Sequence, residues 1–471
     1  MKARANRSRG AAGPPAAALA IWANMALTAI VPVRAAAQPA DTSSVAIPAA
    51  ATTPATAGPR IVTLQEALDL AARYAPRSIA AAGSKRVNDA ALRSSYAAFL
   101  PSLSLSADAT RQFPSRGGTR IENGQVVTLP AEPWSENAGF NASMTLFQGG
   151  GRIFELRQAR AQAAAAGINA ESERYGVALD TKTRYYAVLA ARELVAAAEA
   201  RLAQAREGLD AALARVRART ATRSDSLRAV IEWRNAELEE LDARRGIASA
   251  EASLTRAIGS PEPVTAAPLE AADSVSLALD DARLRALAME GPAIQRARKQ
   301  RDAARAAASA SWTHYLPTIT ASYSRSGSGS SPELDLGGDF DSYSGSFRLS
   351  ASLPIFDRLA REEGVVRSRV ALENAEADLS DVRLGSVESL EQSLGDFHAT
   401  GKRLEAQTAS VEAAEEDLRV QQERYRTGAG TILDVLTSQT TLHQARLSLI
   451  QARYDRRIAK AELEALLGRD L

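Results

Sequence analysis

Apolar residues recur along this chain with two different periods. Val188, Val195, Leu202, Leu209 and Val216 stand seven residues apart, and Ala191, Ala198, Ala205 and Ala212 follow three places after them. Phe397, Leu404, Val411, Leu418 and Tyr425 repeat the device later in the chain. An apolar position kept over so many heptads marks a coiled-coil seam, and alanine in the companion column lets the neighbouring backbone come close. The first of these helices is expected to run from about residue 151 to 218. At roughly 1.5 Å per residue that is near 100 Å, too long for an ordinary amphipathic bundle in a globular domain. Elsewhere the period is two. Leu103, Leu105, Ala107 and Ala109 alternate with Ser104, Ser106, Asp108 and Thr110, and Phe140, Ala142, Met144 and Leu146 with Asn141, Ser143 and Thr145. Residues 319–324 and 346–353 do the same.

These alternations predict four strands, at about 102–112, 136–147, 318–326 and 345–355. Each run has the length of a tilted membrane strand, with one apolar face and one face rich in hydroxyls and poor in charge, as a water-filled lumen requires. A soluble hairpin packed on helices shows the same alternation. A membrane barrel needs at least about eight strands, so four per chain imply a barrel shared between chains. Polar Gly/Ser/Asp-rich loops, 114–133 and 327–343, lie between the members of each pair.

The two halves are copies of one unit. Leu146-Phe147 lies 209 residues before Ile355-Phe356, Arg215-Val216-Arg217 before Arg424-Tyr425-Arg426, and Ile258-Gly259 before Leu467-Gly468. Earlier in each unit the offset is 216: Phe99-Leu100-Pro101 matches Tyr315-Leu316-Pro317, and Ala75-Pro76 matches Gly291-Pro292. Seven extra residues therefore sit in the first copy between Pro101 and Phe147. Internal repetition of this kind sets the architecture. Each unit reads as helix, two strands, long helix, tip and helix, with the first helix at about 64–99 and the tip near 219–221. The two shorter helices match the long one in summed length, so they are expected to lie end to end and antiparallel along it. The units span 61–270 and 271–471.

Composition removes several function classes. The chain of 471 residues has no Cys and three His, which excludes thiolate metal sites, disulfide scaffolds and thiol nucleophiles, and argues against a histidine-built metal centre. The formal charge of +2 hides an asymmetry: residues 1–37 hold five basic and no acidic residues, and the remainder carries 52 basic against 55 acidic ones. No positive face for nucleic acid is expected. The basic start, the apolar stretch 16–33 and the small residues Ala35-Ala36-Ala37 form a secretory signal over 1–37, with cleavage before Gln38. The Ala/Pro/Thr-rich segment 38–60 reads as a disordered linker.

The stretch Arg424-Tyr425-Arg426-Thr427-Gly428-Ala429-Gly430-Thr431-Ile432-Leu433-Asp434-Val435-Leu436 resembles the signature of TolC-type outer-membrane factors. Ser352-Leu353-Pro354-Ile355-Phe356-Asp357 and Leu146-Phe147-Gln148-Gly149-Gly150 are similar to that family's strand-to-helix junctions. The resemblance covers about 61–471. It implies a mainly α fold with a small membrane β part, the two tandem repeats forming a trimeric α-helical barrel topped by a shared 12-stranded β-barrel. It implies a duct from an inner-membrane transporter and a periplasmic adaptor, a membrane fusion protein, to the exterior. The barrel would sit in outer-membrane lipid and the helices in the periplasm, serving an efflux pump or type I secretion system. The alternative is an exported structural coiled-coil protein with no channel. Many relatives carry an acylated cysteine after the signal; this chain has none.

Site expectations follow from the same resemblance. Tyr425, Asp225 and Ser224 occupy gate-lock positions, with a Tyr425 hydroxyl to Asp225 carboxylate bond as the candidate lock. Gly430 stands where the family has an arginine, a link lost unless Arg223 or Arg219 substitutes. Asp434 matches an acidic position facing the axis, with Thr437 in place of a second acid, so it is the candidate constriction. Thr427, Gly428, Gly430, Thr220 and Thr222 are candidate adaptor contacts at the tips. Bland readings stand beside these: Tyr425 also ends the heptad seam, and Thr431 with Asp434, like Thr222 with Asp225, reads as a capping box. Gly149-Gly150-Gly151 lacks a following Lys-Ser pair and reads as a strand-to-helix turn. Trp312, His314 and Tyr315 read as an interface belt. The Arg/Glu alternation in 192–206 and 232–245 reads as a solvated helix face. No catalytic constellation and no cofactor site is singled out.

Overall fold

The computed structural model describes residues 58–113, 118–122, 124–128, 132–269, 280–334 and 342–471. The expected signal, all but the end of the expected linker, residues 270–279 and parts of both polar loops lie outside the described residues. The first copy runs β1 (Arg60–Val62), α1 (Leu64–Tyr74), α2 (Pro76–Ala97), β2 (Ser102–Arg111), β3 (Thr119–Glu122), β4 (Gln125–Thr128), β5 (Trp134–Gln148), α3 (Gly151–Arg217), α4 (Arg223–Ile258) and β6 (Val264–Ala266). The second runs α5 (Asp281–Ala288), α6 (Pro292–Ser311), a short 3-10 turn (Trp312–Tyr315), β7 (Thr318–Ser331), β8 (Ser342–Ser352), α7 (Ala360–Arg426) and α8 (Ile432–Leu467). The long helices α3 and α7 each have 67 residues, and α4 and α8 each have 36. Among the described residues no helix is long and apolar enough to cross a membrane.

The first helix of each copy is two helices. Ala75 is extended (φ −62°, ψ 133°) ahead of Pro76, and Gly291 (ψ 159°) ahead of Pro292. The proline ring forbids the helical conformation before it and then starts the next helix at its first position. The expected antiparallel lay of the short helices along the long one is observed. The Tyr96 hydroxyl accepts from Arg160 at 2.7 Å, while Arg77 pairs with Glu173 at 2.9 Å, so α2 runs against α3. Farther on, Arg244 of α4 reaches Glu199 of α3 at 3.1 Å. Along α3 the alanine column does the close packing: Ala198, Ala205 and Ala212 are buried, whereas Val195, Leu202 and Leu209 are half-buried.

Four strands form one antiparallel sheet in the order β2-β5-β7-β8, leaving β2 and β8 as its edges. The register places Leu105 opposite Phe140, Ala142 opposite Tyr323, and Tyr323 opposite Phe347, so one face is apolar throughout its helix-proximal half. The other face is a hydroxyl ladder, with Ser324–Ser346 at 2.9 Å, Ser326–Ser344 at 3.1 Å, Ser328–Ser342 at 2.8 Å and Ser102–Ser143 at 2.8 Å. Within the loop that follows β2, β3 and β4 pair as a hairpin that the alternation did not reveal.

Sheet and long helix meet in the same way twice. Gly149 and Gly150 take φ of 58° and 83°, and Arg358 and Leu359, at the 209 offset, take 56° and 66°. In both copies an arginine clamps the turn. Arg152 donates to the Thr145 carbonyl at 2.8 Å and lies over the Phe99 ring; Arg361 donates to the Ile355 carbonyl at 3.1 Å and lies over the Tyr315 ring. Asp357 braces the second turn by accepting from Arg361 Nε at 2.9 Å and from its backbone N–H at 3.1 Å.

The largest buried cluster among the described residues lies about midway along α3. There β1 and β6 pair in parallel, with Val62, Val264 and Ala266 buried against Tyr185, Val188 and Leu254. The Tyr185 hydroxyl lies 2.9 Å from the Ala267 carbonyl and 3.2 Å from that of Val62. Two strands of three residues carry too little pattern to be read from sequence, and β1 begins at Arg60, inside the segment expected as linker.

Candidate channel lining and tips

Each copy ends its long helix in a tight tip closed by a capping box. The Asp434 carboxylate accepts from the Thr431 backbone N–H and hydroxyl, both at 2.9 Å, and the Thr431 hydroxyl oxygen accepts from the Asp434 N–H at 3.3 Å. Asp225 and Thr222 repeat this at 2.9, 2.8 and 3.3 Å. These donors, backbone first, hold both carboxyls below the ordinary aspartate range, helped by Arg424 near Asp434 and Arg228 near Asp225. Asp434 remains exposed, so capping does not remove its charge from solvent.

The remaining tip residues are placed by backbone bonds. In the second tip Ala429 and Gly430 both donate to the Arg424 carbonyl, at 2.8 and 3.0 Å, and the Thr427 hydroxyl donates to Glu423 and Arg424 carbonyls at 3.1 Å. In the first, the Thr220 hydroxyl donates to the Arg215 carbonyl at 3.2 Å. Thr220, Thr222, Thr427 and Gly428 are exposed and Gly430 is half-buried. Arg219 has φ 59° where the second copy has Gly428 at φ 80°.

Within this one chain the Tyr425 hydroxyl and the Asp225 carboxylate do not bond to each other. The half-buried Tyr425 ring packs with Leu418 and Val435, and the Arg215 guanidinium lies over it, 4.2 Å from the ring centre. Asp225 is occupied by its own cap, because Thr222 lies three residues away on the same turn and reaches it without crossing between hairpins. Ser224 is exposed, and within this one chain neither Arg219 nor Arg223 forms an ion pair among the described residues.

Charged contacts tie the two hairpins together above the tips. Arg201 of α3, with a side chain 20% exposed, bonds Glu232 at 2.7 Å and also Glu239, both on α4. His443 of α8 closes on Glu239 from the other hairpin. Further along, Glu193 of α3 accepts from the Tyr454 hydroxyl at 2.6 Å and from Arg453 at 2.9 Å. Burial and the neighbouring Glu193 carboxylate push the Tyr454 hydroxyl far above its usual range. Lys182 meets the buried Glu464 at 2.5 Å. Part of the stretch expected as a solvated face is thus an internal link; Arg244 and Arg245, 61% and 82% exposed, do match that reading. Sequence spacing groups charges by helix and carries no sign of which helix faces which. Among the described residues no group of His, Asp and Glu could hold a metal.

The profile of the outer membrane efflux protein family matches residues 68–260 and 284–469. CyaE of Bordetella pertussis is 27% identical over 449 residues, covering 92% of this chain and 90% of the relative. The outer membrane protein TolC of Escherichia coli is 26% identical, over 78% of this chain and 74% of TolC. The open-state MtrE outer membrane channel of Neisseria gonorrhoeae superposes with a TM-score of 0.68 at 21% identity, covering 86% of this chain and 89% of MtrE. A channel-free coiled coil does not account for the family profile. The chain belongs to the outer membrane efflux protein family, and it is an outer-membrane export duct.

Proposed function

We propose that three copies of this chain close a 12-stranded barrel, β8 of one copy pairing with β2 of the next, and that their helices continue it through the periplasm. The supporting observation is the sheet itself: four strands, two open edges, one apolar face and one serine face. Open edges facing lipid would leave backbone groups without partners, which the bilayer does not tolerate. The helices carry a second unfinished surface. Leu227, Ile231, Leu238 and Leu241 form a stripe on α4, each more than half exposed, and Val366 and Leu384 of α7 are also exposed. Neighbouring copies would cover these residues.

The tips, with Thr427, Gly428, Gly430, Thr220 and Thr222, would meet a periplasmic adaptor, which couples the duct to an inner-membrane transporter. Asp434 would form a ring of three carboxylates at the narrow end, since its cap leaves it exposed. Such a ring attracts cations and holds multivalent ones. Full-length protein in mild detergent should migrate as a trimer and conduct in planar bilayers, with trivalent-cation block from the periplasmic side. Asp434→Asn should lose the block and keep the conductance. A monodisperse monomer that retains its β signal overturns the barrel; equal block in both proteins reduces Asp434 to a helix cap.

A further inference from the structure

The apolar face of the sheet is not uniform along its height. Near the helices it shows Ile319, Met144, Leu349 and Phe347, with no charged side chain. Beyond them Arg325, Glu136 and Arg111 appear on the same face, fixed there by the register Phe140↔Arg325, Ala109↔Glu136 and Arg111↔Trp134. Both arginines are exposed. Neither forms an ion pair among the described residues; each rests instead on aromatic rings. The Arg325 guanidinium lies over Tyr343, 5.8 Å from the ring centre, and that of Arg111 over Phe113 and Trp134 at 4.7 and 5.6 Å. Tyr343 pairs with Gly327, one outward position farther from the helices than Arg325, so the guanidinium is drawn towards the distal end. Glu136 accepts a hydrogen bond from the Ser331 hydroxyl at 3.0 Å.

Height decides what these arginines meet. Arg325 lies six residues along β7 from Ile319, about 15 Å up a lipid-facing belt about 25 Å tall for strands tilted about 40°, with its guanidinium drawn towards Tyr343, about 20 Å up; Arg111, level with Ser331 through Trp134, lies twelve residues from Ile319, about 30 Å up. The two basic-aromatic positions therefore bracket the height at which the outer leaflet's acyl chains give way to its headgroups, Arg325 below it and Arg111 above. An arginine left unpaired against hydrocarbon is unfavourable, while its planar fork matches phosphate oxygens and its ring partner keeps it aimed. We propose that Arg325 and Arg111 bind the phosphates of a phosphorylated outer-leaflet glycolipid of the lipid A class. The inference rests on the reading of the apolar face as lipid-facing.

The test uses the full chain purified in mild detergent, with bisphosphoryl lipid A, its dephosphorylated form and inorganic phosphate as probes, and retained lipid read by native mass spectrometry. Bisphosphoryl lipid A should bind, and loss of its phosphates should weaken it at least tenfold. Arg325→Gln with Arg111→Gln should weaken it by a similar factor, Arg325→Lys only in part, and Arg348→Gln on the serine face not at all. Equal binding by the wild type and the double glutamine variant overturns the proposal, as does displacement by inorganic phosphate, which would mark a free-anion site. Flotation with phosphatidylethanolamine vesicles separates the two levels. A chain that does not float refutes the lipid-facing reading; one that floats but binds lipid A without regard to the arginines refutes only the phosphate contact.

Discussion

At the scale of single residues, the two copies solve one turn with different side chains. Arg358 and Leu359 hold the left-handed backbone that Gly149 and Gly150 hold in the first copy. A side chain there costs about 1–2 kcal/mol, and glycine returns about 0.5–1 kcal/mol of that through its unfolded-state freedom. Leu359→Gly should therefore stabilise the second junction by about 0.5–1 kcal/mol, read as slower amide exchange at the start of α7. Gly149→Ala should do the reverse, because its Cβ would fall 2.6 Å from the Thr313 carbonyl oxygen. At the tips, Tyr425→Phe should leave amide exchange and conductance unchanged, since the ring under Arg215 remains; Tyr425→Ala should loosen the tip. The capping aspartates add a pH dependence of known sign. Their folded pKa values lie below the unfolded one, so the stabilisation is complete above about pH 4, the unfolded value, and is lost as pH falls through the lower folded value. Protection of the second-tip amides, relative to intrinsic exchange at each pH, should fall only on acidification below about pH 4, and Asp434→Asn should flatten that fall.

Between elements, the ion pairs that join α3 to α8 carry more weight than those on the surface. Among the described residues, Lys182→Met would leave the buried Glu464 carboxylate only the Leu471 N–H, at 3.4 Å, as a partner. Removing one partner of a buried pair costs roughly 3–5 kcal/mol, whereas replacing both with apolar residues is near neutral. Exchange of α8 amides should accelerate accordingly in Lys182→Met and recover most of the loss in Lys182→Met with Glu464→Leu. Such contacts were invisible in the sequence, although the helices that bear them were plain. The Gly149-Gly150-Gly151 turn and the heptad column ending at Val216 set the extent of α3 to within a residue or two, because turn chemistry and heptad spacing are local properties. The approach of Glu464 to Lys182 depends on how two hairpins lie together, which no local period encodes. The split at Pro76 was legible in principle, since Ala75-Pro76 and Gly291-Pro292 already stood out as landmarks. The β1–β6 pairing was not, because three-residue strands joined in parallel across the whole first copy leave no alternation to count. At the candidate site the capping boxes were readable from Thr-x-x-Asp spacing, while the Arg215–Tyr425 stack was not.

For the whole molecule, the proposed assembly places the exposed stripe on α4 between copies. Leu238→Asp with Leu241→Asp should put two carboxylates into each seam between copies and yield monomers in mild detergent, with helix content unchanged by circular dichroism. Assembly that survives this change would remove α4 from the interface.

The open edges of β2 and β8 also have a genetic meaning. In the proposed ring, a chain whose β8 edge is spoiled can still offer β2 to a neighbour, so it enters rings that it cannot complete. With three copies drawn at random from equal pools of sound and spoiled chains, only about one ring in eight is wholly sound. An edge mutation should therefore behave as dominant over a wild-type allele, whereas one that unfolds the whole chain, and never reaches the ring, should be recessive.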